Sequence, residues 1–238
     1  MKTPHIIGIS GKIGTGKDTV AKLINIICKY PDFSDATVEH FYHNGKFISN
    51  TWDVKKFAGK LKHIASILTG IPEYKFEDQE FKKALLGPEW GNTSTNTPLN
   101  SIEPFKDIEF NNLMSVREFL QKLGTEAMRK GLHDNTWVNA LFASYYSGSR
   151  WIITDVRFEN EADAIRSRKG LLIRMIRENA EVKSDHPSET GLDKYEFDVY
   201  LINNGTLQDL IPKVRELVNL YELNSNYEEF QSHNEGFF

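Results

Sequence analysis

The sequence predicts a three-layer α/β/α fold around a parallel sheet of about five strands. Two observations predict it. Short apolar runs rich in β-branched residues alternate with longer stretches of helical spacing over most of the chain, the pattern of a parallel sheet covered on both faces. The first of these runs leads through a glycine-rich turn directly into the first helical stretch. In such sheets ligands gather beyond the carboxyl ends of the strands, so residues at those ends are the first candidates for chemistry.

Taken in order, His5–Ile9 reads as a buried strand and Lys17 to about Tyr30 as a helix, with Val20, Leu23, Ile24 and Ile27 on one face and Pro31 as its stop. The stretch from Thr37 to Lys56 is less regular, and Asn44-Gly45 within His43–Lys46 predicts a tight hairpin. Val54–Ala58 is the second predicted strand, followed by a helix over Gly59–Leu68. Ile71–Met114 is rich in Pro, Asn, Thr and Glu and reads as an insertion of the functional kind. Ser115–Lys130 returns to helical spacing, with Val116, Phe119, Leu120 and Leu123 on one stripe and Ser115 with Glu118 as a capping box. Then come a helix over Thr136–Tyr146, a strand Trp151–Thr154 ending at Asp155, a helix Glu159–Lys169, a strand Leu171–Ile176 ending at Arg177, a strand Asp198–Ile202 and a helix from Leu207 to about Leu223. The expected organisation is one domain over residues 1–223, with an insertion at about 70–148, a polar segment at about 178–193 and a tail at 224–238.

The composition is that of an ordinary soluble domain, with 39% hydrophobic, 26% charged and 12% aromatic residues in 238. A formal charge of −4 speaks against a general nucleic-acid binder. No apolar run is long enough to cross a bilayer, and the first residues have no signal-peptide character, so a cytoplasmic protein is expected. The single cysteine, Cys28, sits in an apolar run and reads as core packing in a reducing compartment. There is no zinc-type His/Cys cluster and no glycine–x–serine–x–glycine nucleophile motif.

Gly11-Lys12-Ile13-Gly14-Thr15-Gly16-Lys17-Asp18-Thr19 matches the glycine–four residues–glycine–lysine core of a phosphate-binding loop. Glycines let the chain curl so that successive N–H groups face phosphate oxygens, the following helix presents its positive end, and Lys17 reaches the β- and γ-phosphates. This predicts ATP as a ligand of Gly11–Thr19, with Mg²⁺. One position departs from the motif. Asp18 stands where a metal-binding hydroxyl is usual; it either holds Mg²⁺ through water or faces the base of the loop, while Thr19 is in reach of an α-phosphate oxygen.

The loop Ser10–Thr19 resembles that of phage-type deoxynucleoside monophosphate kinases, and other segments agree in order. They are Lys56–Lys62, Phe76–Asp78 through Pro88–Gly91, Ser115–Glu126, Thr136–Leu141, Asp155–Glu161, Asp185–Glu189 and Leu201–Gly205. The resemblance runs over about residues 5–220, leaving the Thr37–Asn50 segment and the tail outside. It implies a P-loop kinase moving the γ-phosphate of ATP to a deoxynucleoside monophosphate, an acceptor site in the inserted region, a lid at about 178–193 and a homodimer. Small-molecule substrates are the expected partners, with neither nucleic acid nor membrane.

Phosphoryl transfer is mostly positioning and charge neutralisation, so cations near the moving group are sought first. Lys17, Arg157 and Arg177 are the candidates, the two arginines as phosphate clamps or else as surface ion pairs. Asp155 either orients metal-bound water or the acceptor, or caps the helix that begins near Glu159. For the acceptor the candidates are Phe57, Lys60, Arg117, Gln121, Arg129 and Trp137, where the two aromatic rings either stack on a base or pack in the core. His186 and Glu189 fall in the expected lid. Two other readings stay open at this stage: the same fold acting on another small phosphorylated acceptor such as phosphomevalonate, and a nucleotide-binding regulator without turnover.

Overall fold

The computed structural model describes residues 3–45, 51–90, 113–178, 180 and 190–224. Its sheet consists of β1 (Ile6–Ser10), β2 (Asp53–Lys55), β3 (Trp151–Val156), β4 (Leu171–Ile176) and β5 (Val199–Ile202), in the order β2-β3-β1-β4-β5. Every pairing is parallel. All residues of β1 and β3 are buried, which their near-continuous apolar sequences require. With β3 on one side of β1 and β4 on the other, the strand order reverses at β1, and its carboxyl end is the switch point.

The helices are α1 (Lys17–Lys29), α2 (Asp35–Asn44), α3 (Phe57–Thr69), α4 (Val116–Gln121), α5 (Thr136–Phe142), α6 (Glu159–Arg166) and α7 (Leu207–Leu220). One core forms where α1, α2 and α7 meet each other and the sheet. Leu23, Ile24 and Ile27 of α1 and Ile211, Val214 and Val218 of α7 are buried there with Ile7 and Ile9. Strand alternation turns Gly8 the other way. A Cβ on Gly8 would lie 2.7 Å from Ile165 Cδ1, so α6 covers the opposite face at close range.

The chain divides into two units, one made of Met1–Phe57 with Val138–Phe238 and the other of Ala58–Trp137. The first holds the sheet. The second has its own small core of Ala65, Phe76, Leu86, Val116 and Phe119, with Leu120 and Leu123 packed against it. Ser115 caps α4, its hydroxyl accepting from the Glu118 N–H at 3.1 Å. From Lys122 to Lys130 the helix widens to π geometry, and the Gly131 N–H reaches back five residues to the Glu126 carbonyl. Three short 3₁₀ turns, Glu73–Glu77, Phe81–Lys83 and Pro88–Trp90, occupy part of the expected insertion; Gly91–Asn100 lies outside the described residues.

Two expectations fail locally. No hairpin forms at His43–Gly45, which instead close α2, and Lys46 lies outside the described residues. The helix wins because the Ser34 hydroxyl caps it by accepting from the Thr37 N–H, Val38 is buried, and Phe41 joins a cluster with Tyr30 and Phe33. Gly45 has φ −73°, not the positive value of a hairpin turn, and its N–H ends the helix on the Phe41 carbonyl. Likewise, β2 stops at Lys55 and α3 starts at Phe57 rather than at Gly59, because the buried Asp155 carboxylate accepts the Phe57 N–H at 2.8 Å.

Cys28 is buried, and its thiol donates to the Leu223 carbonyl at 3.3 Å. The Arg150 guanidinium donates to the same carbonyl and lies over the Trp52 ring at 4.1 Å. Burial pushes the Cys28 thiol up from 9.0 to about 11. The native protein should therefore label with iodoacetamide at pH 8 far more slowly than the urea-unfolded chain, because thiolate and access are both withheld. The sign of the linkage also follows. The raised thiol supports folding fully below about pH 9, and that support is lost as pH climbs towards 11, so denaturant midpoints should fall over that window in the wild type and less in Cys28→Ala.

Candidate active site

The glycine-rich loop leaves the carboxyl end of β1 and curls so that α1 begins at Lys17. Three glycines have positive φ, Gly11 at +154° among them, and the two with left-handed backbone are the tightest points of the curl. Gly14 has φ +81° and Gly16 φ +94°, values that side chains disfavour. The loop is fastened from inside and outside. Thr15, nearly completely buried, donates its hydroxyl to the Lys12 carbonyl at 2.8 Å, and the Asn203 amide from the turn after β5 donates to the Thr15 carbonyl at 3.0 Å. A loop held this way keeps its shape before any ligand arrives.

Lys17 folds back over the loop, its ammonium donating to the Gly11 carbonyl at 2.6 Å and the Lys12 carbonyl at 2.8 Å. Ile13 is half-buried on the loop's outer arm. Gly14, Gly16, Lys17, Asp18 and Thr19 open onto a cavity of about 520 Å³, and Arg177 at the end of β4 lines the same cavity. Space of that size is typical for a small-molecule site. Lys17 and Arg177 bring positive charge to it and α1 begins beside it, an arrangement suited to a polyphosphate.

Asp18 is exposed but tethered on one side. One of its oxygens accepts the Thr154 hydroxyl at 2.7 Å, and the Lys56 ammonium lies 3.3 Å away. Asp155, next in β3, is occupied with the start of α3, so it does cap a helix, but not the one near Glu159. There Glu161 does the work, accepting the N–H groups of Arg157 and Phe158. Arg157 is half-exposed just past β3 and is not among the residues lining the cavity.

The other candidates sort by burial. Phe57 and Trp137 are 2% and 3% exposed, which makes them packing residues rather than platforms for a base. Phe57 meets Phe142 edge-on, and the Trp137 indole N–H donates to the Gly124 carbonyl at 2.9 Å. In the second unit Lys60 and Arg117 are exposed and Gln121 and Arg129 half-exposed. Arg117 and Gln121 share one side of α4 by their spacing. Arg117 donates to the side-chain amide oxygen of Gln79 at 3.2 Å and Arg129 to the backbone carbonyl of Asp134 at 3.4 Å. His186 and Glu189 lie outside the described residues, as does most of the expected lid. Sequence reading missed Asn203, Thr154, Lys56, Tyr42 and His43 as neighbours of the loop; Thr154 carried a signal in its place beside Asp155 at a strand end, and Lys56 and Asn203 in the family-like segments that hold them.

Comparison with known proteins agrees with this geometry. The deoxynucleotide monophosphate kinase family matches residues 65–214, more than half of the chain. The deoxynucleoside-5′-monophosphate kinase of Escherichia phage T5 is 26% identical over 230 residues, covering 79% of this chain and 84% of that protein. The deoxynucleotide monophosphate kinases of Escherichia phage RB69 and Enterobacteria phage T4 are 28% and 32% identical over 113 and 107 residues, each alignment spanning under half of either protein. With a glycine-rich loop at the switch point of a five-stranded parallel sheet and more than half its length matched, the chain belongs to the deoxynucleotide monophosphate kinase family.

Proposed function

We propose that this chain transfers the γ-phosphoryl group of ATP to a deoxynucleoside 5′-monophosphate, giving ADP and the diphosphate. The observation that carries the reading is the pre-shaped loop Gly11–Thr19, with the Lys17 ammonium at its mouth and Arg177 lining the same cavity. In use, Lys17 would exchange its two carbonyl partners for β- and γ-phosphate oxygens, and Arg177 would meet charge on the transferring group. Arg157 is assigned to phosphate clamping at the end of β3. Asp155 acts through the backbone, fixing where α3 begins.

Mg²⁺ belongs to this reading. The residues present fit it: Asp18 supplies a hard, largely exposed carboxylate beside the loop, its side chain 68% accessible, which suits an ion that keeps several waters and takes one or two carboxylates. Among the described residues no group of three His, Cys, Asp or Glu stands ready to cage a metal, which accords with an ion held mainly by phosphate and water. When bound, Mg²⁺ neutralises charge on the donor phosphates.

Lys60, Arg117, Gln121 and Arg129 of the second unit are assigned to the acceptor, since arginine forks suit its phosphate and Gln121 suits a base edge or sugar hydroxyl. We take the enzyme to be a homodimer working on small molecules in a host cytoplasm; no described helix is long and apolar enough to cross a membrane. Sedimentation analysis tests the dimer. The reaction is tested by coupling ADP release to NADH oxidation with ATP, Mg²⁺ and each deoxynucleoside monophosphate in turn. At least one should give turnover well above the ATP-only rate. Turnover with phosphomevalonate alone, or ATP binding without turnover on any monophosphate, would overturn the proposal.

A further inference from the structure

We propose that Tyr42 and His43, on the last turn of α2, form one wall of the pocket for the base of the phosphate donor, and that this wall holds the ring by packing rather than by reading its hydrogen-bonding edge. The proposal rests on the ATP reading above, because the position of the base is reckoned from where the phosphates sit.

The loop amides and Lys17 fix the phosphate end of a nucleotide. The same cavity is lined also by Tyr42 and His43 from α2 and by Thr206, Leu207 and Leu210 from the turn after β5 and the start of α7. We place the base of a triphosphate gripped at Gly14–Lys17 against these residues. Its lining is aromatic and aliphatic: the Tyr42 ring is half-buried, the His43 ring stands edge-on to it with centroids 5.3 Å apart, and Leu210 is buried.

Apart from the His43 imidazole, the polar side chains around it are already engaged with the scaffold. The Tyr42 hydroxyl donates to the Thr19 hydroxyl at 3.4 Å, the Thr206 hydroxyl pairs with the Asp209 carboxylate at 2.7 Å, and the Asn203 amide is held by Thr15. What remains for a base is mainly π-surface and methyl groups, and stacking of this kind tolerates any base because every base has a π-face. Tyr42 is itself pinned. The Lys22 ammonium donates to its carbonyl at 2.6 Å and sits 4.3 Å from its ring centre. Both wall residues precede the span 65–214 matched by the family, so nothing in that match assigns them a role.

Calorimetric titration of the full chain with ATP, GTP and inorganic tripolyphosphate separates a base wall from a support for the loop. The wild type should bind ATP and GTP within about threefold of each other. Tyr42→Ala and the exposed-site variant His43→Ala should each weaken ATP, by about tenfold for the tyrosine, with tripolyphosphate affinity unmoved. Tyr42→Phe, which keeps the ring, should restore ATP affinity to within about twofold of the wild type. Equal weakening of ATP and tripolyphosphate, or no weakening of ATP by either alanine, would overturn the wall. GTP binding more than about thirtyfold weaker than ATP would overturn the packing mode. A wild type that binds tripolyphosphate but no nucleoside triphosphate would refute the wall alone, and one that binds neither would refute the ATP reading beneath it.

Discussion

Lys17→Ala should lower kcat/KM for phosphoryl transfer by about 10³-fold or more, the scale of losing a principal cation at a phosphoryl-transfer centre. The ammonium sits 2.6 and 2.8 Å from two loop carbonyls, so it is held at the phosphate end of the cavity before substrate arrives. Binding of ATP exchanges those two carbonyls for phosphate oxygens, so the ammonium is already in place when charge develops on the transferring group. The fold should survive. Lys17 is only half-buried, and the carbonyls it leaves behind lie where water can reach them, so the unfolding midpoint should move by a few degrees at most. Lys17→Arg is expected to fail nearly as badly, because a planar fork does not fit where a compact ammonium bridges two loop carbonyls. Steady-state coupled assays with ATP varied at saturating acceptor, paired with thermal unfolding, give the comparison. Turnover within tenfold of the wild type would remove Lys17 from the mechanism.

The parts of this molecule legible in the sequence are those whose cause is local. The apolar run that predicts β4 has the strand's own bounds, Leu171–Ile176, because a buried parallel strand is a short apolar run, and the glycine-rich loop shows in its spacing. The parts that were not legible have causes far away in the chain. Asn203 meets Thr15 across 188 residues and Thr154 meets Asp18 across 136, and no window of sequence holds both partners. The bond from the Phe57 N–H to Asp155 is hidden for the same reason, since the two are 98 residues apart and the sequence offers Asp155 only the nearer helix at Glu159 to cap. For Asn44-Gly45 the failure was competition. A turn-forming pair was overruled by a capped helix with one buried valine and an aromatic cluster, an instance of tertiary packing overriding local preference. Phe57 and Trp137 were undecidable on spacing, because an aromatic ring packs in a core and stacks on a ligand with the same sequence signature.

Two glycines of the loop look equivalent in sequence and should not behave alike. Gly14 and Gly16 both have left-handed backbone, φ +81° and +94°, so alanine at either position costs roughly 1–2 kcal/mol of strain. Their surroundings differ. A Cβ at Gly14 meets nothing within 4 Å, whereas a Cβ at Gly16 lies 2.7 Å from Asn203 Nδ2. That nitrogen is the donor to the Thr15 carbonyl, and Asn203 is buried, so making room means breaking the bond that fastens the loop. An unsatisfied buried carbonyl adds roughly 1–3 kcal/mol. The loop shape that binds phosphate then becomes a minor population, and apparent ATP affinity falls by that fraction. Gly14→Ala should thus weaken ATP by about 5- to 30-fold and Gly16→Ala by about 30- to several-thousand-fold. Asn203→Ala distinguishes the cause. It removes the clashing nitrogen along with the tether, so the double variant Gly16→Ala/Asn203→Ala should bind ATP no worse than about twofold below Gly16→Ala alone, the two losses being one loss counted twice. Additive losses would mean that Gly16 and Asn203 act independently, and a Gly14→Ala variant as damaged as Gly16→Ala would mean that backbone conformation, not the Asn203 amide, sets the shape of the loop.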